Sequence, residues 1–122
     1  MSALVPPITF QNIQVWVKPK EGKTDKEKYD VVTVPSDPEI VNQDTVINYQ
    51  IVDTAGLPII FSHMTVKPKD NNQFSEETVS LDGKLLTFID ANTEKMVLNI
   101  KLHFKNGAEE FWHDPQIQNN PE

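Results

Sequence analysis

The sequence predicts an all-β fold, an antiparallel immunoglobulin-like β-sandwich of about 7–8 strands. Three observations carry that expectation. Apolar and polar residues alternate at period two, Gly, Pro, Asn and Asp punctuate the chain at short intervals, and no segment holds a helical period. A closed small barrel is the alternative architecture. The 122 residues suit one domain, residues 1–122. A chain of this size buries roughly two-thirds of its unfolded surface, enough for one core without staples.

The first predicted strand runs from about Ile8 to Lys18. Ile8 and Phe10 start an apolar face that Ile13, Val15 and Val17 continue only after a one-residue phase change, so a β-bulge is expected near Gln11 and Asn12. Pro19 ends this strand. Lys18, Lys20, Lys23, Lys26 and Lys28 are interleaved with Glu21, Asp25 and Glu27, which reads as a nearly neutral, solvated loop. Tyr29–Val34 is a short β-branched strand stopped by Pro35. Thr45–Val52 alternates with Ile47, Tyr49 and Ile51 on one side, and Leu57–Lys67 is a longer strand ended by Pro68.

Two hairpins follow. Asp82-Gly83 separates Glu77–Leu81 from Lys84–Asp90, and Asn106-Gly107 separates Lys95–Phe104 from Ala108–His113. Both dipeptides tolerate the positive φ of a type I′ turn, and a two-residue turn sets the register. In the second hairpin that register pairs His103 with Glu110, Leu102 with Phe111 and Lys101 with Trp112. Ile47/Tyr49/Ile51, Leu86/Phe88 and Met96/Leu98/Ile100/Leu102/Phe104 supply the inner faces.

Two short echoes stand out. Val17-Lys18-Pro19-Lys20 recurs as Val66-Lys67-Pro68-Lys69, and Asp37-Pro38-Glu39-Ile40-Val41-Asn42 recurs as Asp114-Pro115-Gln116-Ile117-Gln118-Asn119. Asp before Pro favours an Asx-turn, and the following Ile can drop into the core, so one turn device used twice accounts for the second echo. The alternative is that both loops meet and Asp37, Asn42, Asp114 and Asn119 offer oxygen ligands to Ca²⁺. On this Asp-Pro-x-Ile-x-Asn element, with its small cysteine-free β-rich chain, the protein resembles the DP-EP family of small bacterial proteins. The AidA/PixA-type inclusion-body proteins are more distantly similar through the same kind of ending. The resemblance implies a bacterial protein of unassigned activity and carries over no catalytic residue.

A net charge of −7 disfavours nucleic acid and anionic membranes as partners. With no cysteine there is no disulfide framework and no thiolate site. No basic and apolar leader is seen at Met1–Pro7, and no apolar run approaches a membrane span, so a cytoplasmic location is expected. His103 and His113 fall on opposite faces of their hairpin, which speaks against a three-histidine metal site with His63. Glu110 opposite His103 is expected to raise the histidine pKa slightly. No nucleophile motif or phosphate loop occurs, so a non-enzyme without a cofactor is expected.

The tryptophans carry the functional expectation. Trp16 shares a face with Asn12, Gln14 and Lys18, and Trp112 shares one with Lys101, His103 and Glu110. Indoles on polar faces suit a protein interface, self-association included. A carbohydrate is the alternative ligand, in a small lectin-like domain assisted by Ca²⁺. The reading is a non-catalytic interaction or assembly module.

Overall fold

The computed structural model describes residues 9–20, 28–36 and 39–121. Ile8, Lys23, Lys26 and Asp37, which figure in the expectations above, lie outside them. Ten strands are present and no helix occurs among the described residues. They are β1 (Thr9–Pro19), β2 (Tyr29–Val34), β3 (Glu39–Val41), β4 (Thr45–Asp53), β5 (Ile59–Lys67), β6 (Thr78–Val79), β7 (Leu85–Asp90), β8 (Met96–Asn106), β9 (Glu109–His113) and β10 (Gln116–Asn119).

The strands form two open sheets that pack as a sandwich. The first has the order β2-β1-β4-β7-β6 and the second β3-β10-β8-β5, with β9 also paired to β8. Period two puts one face of each strand inside. Ile13, Val15 and Val17, Ile47, Tyr49 and Ile51, and Leu86 and Phe88 come from the first sheet. Phe61, Ile100, Leu102, Phe104, Phe111 and Ile117 meet them from the second. At one corner β2 closes onto the β8–β9 hairpin: the Tyr29 ring stacks on Phe111 at 4.1 Å, and Lys28 and Tyr29 both bond Glu109.

The sandwich is mixed rather than antiparallel, and it holds more strands than the periodicity predicts. β1 runs parallel to β4, and β3 parallel to β10. The two extra strands, β3 and β10, are the two halves of the Asp-Pro echo, which pair with each other. They are short, and each is too brief to show alternation on its own. Their register is offset by one residue from the echo, since Ile117 lies beside Glu39 rather than Ile40. Neighbours in a ladder face the same side. Ile117 is therefore fully buried with Glu39 and Val41, while Ile40 is 67% exposed, so only the second copy anchors through its Ile.

The expected bulge near Gln11 and Asn12 is absent. β1 keeps an unbroken register with β4 from Thr9↔Thr45 to Val15↔Ile51 and shifts only between Val15 and Trp16. The ladder holds Phe10 on the outer face beside Val46, where it is 66% exposed.

The Asp82-Gly83 hairpin has the expected register, with Thr78↔Thr87 and Val79↔Leu86. Its turn is not type I′, because Gly83 has φ +73° while Asp82 is not among the positive-φ residues. The second hairpin differs in register. Asn106 pairs with Glu109 across Gly107-Ala108, and Gly107 has φ +62°. Glycine at the first central position is the arrangement of a type II′ turn. His103 consequently faces Trp112, Leu102 faces His113 and Lys105 faces Glu110. The displacement is two positions, so every side chain keeps its predicted face.

β9 and β10 continue along β8 in a single register, from Leu102↔His113 to Asn99↔Gln116. Asp114-Pro115 interrupts this long strand, because proline has no N–H to give the ladder. Ile100 still donates its N–H to the Pro115 carbonyl at 2.9 Å. Lys101 is thereby set opposite Asp114.

Candidate functional site

The outer face of the second sheet gathers Ser62, His63, Thr65, Lys101, His103 and Trp112. A bulge in β5 creates it. Phe61 pairs with Phe104 and His63 with His103, leaving Ser62 as an extra residue. Were Ser62 paired as an ordinary strand residue, period two would send His63 into the core beside Phe61. With it, Phe61 and Met64 stay buried and His63 emerges.

The two imidazoles then stack almost parallel, with centroids 4.0 Å apart and planes at 8°. Ser62 Oγ lies 2.9 Å from His63 Nδ1, and Thr65 Oγ1 lies 3.2 Å from His103 Nε2. Trp112 stands across the ladder from His103 and is 46% exposed. The Lys101 ammonium sits over its ring, 4.9 Å from the centroid. Lys101 thus contacts Trp112 diagonally, although the ladder does not pair them.

The His103 pKa is lowered, opposite to the expectation. Burial is the main cause, and His63 and Lys101 add repulsion that outweighs Glu110 and Asp114. Glu110 stands one ladder step beyond His103, opposite Lys105. His113 has the opposite parity and pairs with Leu102 on the core side.

Trp16 does not join this cluster. It lies on the outer face of the first sheet, between Val32 of β2 and Asp53 of β4. The two indoles stand on opposite sides of the sandwich.

Of the residues proposed for Ca²⁺, Asp37 lies outside the described residues, and Asp114 and Asn119 do not come together. Asn42 is exposed just past β3. Asp114 and Asn119 flank β10, five residues apart along extended chain, which is roughly 16 Å. Asn119 is buried and donates its Nδ2 to Asp90 Oδ1 at 2.9 Å and to Gln73 Oε1 at 3.1 Å. Among the described residues no three His, Cys, Asp or Glu side chains are placed to hold a metal ion.

Two features were missed by sequence reasoning. One is the buried polar knot of Asp90, Asn92, Asn119 and Gln73. Asp90 Oδ1 accepts from the Asn92 N–H and from Asn119, while Asp90 Oδ2 is buried without a partner among the described residues. Burial raises the Asp90 pKa against these two bonds. Its signal was present, since Leu86, Phe88 and Asp90 share a period-two face. The other is a groove of about 760 Å³ along β5, whose lining includes Met64, Val66, Phe74, Glu77, Lys101 and Asp114.

The fold and this face define an open, mixed β-sandwich with an aromatic and imidazole cluster displayed on one sheet. The model of the DP-EP family matches residues 11–121, and the chain belongs to that family. No curated protein matches it. No described helix is long and apolar enough to cross a membrane.

Proposed function

We propose that this chain is a non-catalytic interaction module that binds an acidic protein surface through the outer face of its second sheet, with Trp112 as the anchor. The observation that carries this reading is the half-exposed indole set beside two stacked histidines and under a lysine ammonium. Tryptophan buries a large area on contact and dominates interfaces where it occurs. The face around it carries Lys67, Lys101 and Lys105 against Glu110 and Asp114, a local excess of positive charge on a chain of net charge −7. That contrast favours an acidic partner, which a second copy of the chain also offers. Trp16 on the opposite side gives the module a second contact face, which suits assembly. The reading places the protein in a bacterial cytoplasm, in keeping with its cysteine-free composition.

The carbohydrate alternative is less well supported. A sugar stacks on an open indole face, and Lys101 occupies one face of Trp112.

Sedimentation velocity over a concentration series, with a pull-down from cell extract analysed in parallel, tests the proposal. Trp112→Ala should weaken the association roughly 30-fold or more, as expected for an interface anchor, and added salt should weaken it further. A protein that stays monomeric at every concentration, with a pull-down unchanged by Trp112→Ala, rules the proposal out. A glycan array decides the alternative.

A further inference from the structure

We infer that the groove along β5 binds an extended peptide, which adds to the second sheet as a further strand. The inference rests on main-chain groups of β5 and is independent of Trp112.

β5 is the last strand of its sheet, and β8 covers only one of its edges. Antiparallel pairing alternates residues that bond the neighbouring strand with residues whose N–H and C=O point away from it. Met64 is of the second kind. Its N–H leaves the ladder and bonds Glu77 Oε2 at 2.7 Å. Val66, two residues on, is of the same kind. Its ladder neighbour Ile100 confirms the phase, because Ile100 donates its N–H on the far side, to Pro115.

The Met64 carbonyl and the N–H and carbonyl of Val66 therefore face the groove, and none of the three has a hydrogen-bond partner among the described residues. Earlier in β5 the same edge is closed from within the chain. Phe61 donates its N–H to the Gly83 carbonyl at 2.8 Å, and Lys84 Nζ donates to the Ile59 carbonyl at 2.6 Å. Only the stretch from Met64 to Val66 stays open, and there the groove volume is about 760 Å³.

These groups specify the occupant. A row of C=O, N–H and C=O at strand spacing is complementary to the backbone of another strand. The Glu77 carboxylate already stands where such a strand would present a carbonyl, so it acts as an internal substitute that a peptide displaces. The buried Met64 and the half-buried Val66 and Phe74 give apolar footing for alternate side chains of the peptide. Lys67, Lys69 and Lys101 are matched along the lining by Glu76, Glu77 and Asp114, so the surroundings select no net charge. The fitting ligand is an extended segment with an apolar residue at every second position.

The test is selection of a phage-displayed library of random 12-residue peptides on the full chain, followed by fluorescence polarisation with the peptides selected. Peptides of alternating apolar pattern are expected, and their binding should slow hydrogen exchange at the Val66 amide. Val66→Pro removes that N–H from a position where it does not serve the sheet, so the fold should persist while affinity falls by about tenfold or more. Glu77→Ala should tighten binding, a gain that misfolding would not produce. Trp112→Ala should leave it unchanged, which separates this site from the outer-face cluster. Capture of no peptide, equal binding by Val66→Pro, or protection appearing elsewhere overturns the inference. Dimerisation abolished by Val66→Pro without peptide capture would give the groove to a second copy and equally overturn it.

Discussion

Gly83 meets two demands at one position. Its φ of +73° lies in the left-handed region, and a Cβ built there would come 2.6 Å from the Ile60 Cβ. Gly83→Ala should therefore destabilise the fold by about 2 kcal/mol or more, read as a lower urea midpoint at unchanged m-value. Asp90 presents the opposite situation, a group whose environment disfavours its charge. Burial raises its folded pKa above the ordinary carboxylate value. The folded state then holds the proton more tightly than the unfolded chain. The stability from this group is fully present below the unfolded pKa and is lost as pH rises through the folded one. Asp90→Asn should cancel that slope, so wild type minus variant stability should fall with rising pH across the window. A flat difference from pH 3 to 8 would contradict the assignment.

Among the elements, the bulge in β5 has the largest consequence for the candidate site. One extra residue, Ser62, reverses the facing of everything before it relative to His63. Deleting Ser62 should close the bulge and leave Phe61 inward and His63 outward in unbroken alternation, so stability should change by less than about 1 kcal/mol. The ring-current shifts that the stacked imidazoles give in NMR spectra should persist in that variant, and their loss would contradict this account of the bulge. The hairpins make a complementary point. Asp82-Gly83 set the register that the sequence predicts, whereas Asn106-Gly107 did not, since the turn moved on to Gly107-Ala108. Gly107 serves either turn, and the choice falls to packing. The observed register stacks Phe104 on Phe111 with centroids 5.0 Å apart, and Tyr29 then covers Phe111.

At the scale of the whole molecule, Tyr29 ties the two sheets together. Its ring stacks on Phe111, and its hydroxyl donates to Glu109 and accepts from Asn106 Nδ2 at 2.9 Å. Tyr29→Phe should remove about 1 kcal/mol of stability by losing those bonds. Tyr29→Ala should remove about 3 kcal/mol by opening the corner as well. Equal effects in thermal unfolding would show that the ring contributes nothing to closing the sandwich. At the opposite corner, where β5 and β6 end their sheets, the Met64 N–H to Glu77 bond is the only hydrogen bond that reaches Met64–Val66 from outside the sheet among the described residues, and that difference leaves the groove open.

Most of the strands and their inner faces were legible because burial imposes period two directly on the order of residues. Tyr29–Val34 appears with its predicted bounds, and both indoles lie on the faces that parity assigns. Membership of the DP-EP family was likewise readable from Asp114-Pro115 and the residues after it. What the tertiary structure alone decided are relations between distant segments. These include the parallel pairs β1–β4 and β3–β10, the stacking of His63 on His103, and the placement of Trp16 and Trp112 on opposite sides. The physical reason is that alternation specifies which side a residue faces and not which strand lies beside it. The identity of the neighbour is settled by packing of the whole core, which a single segment does not record.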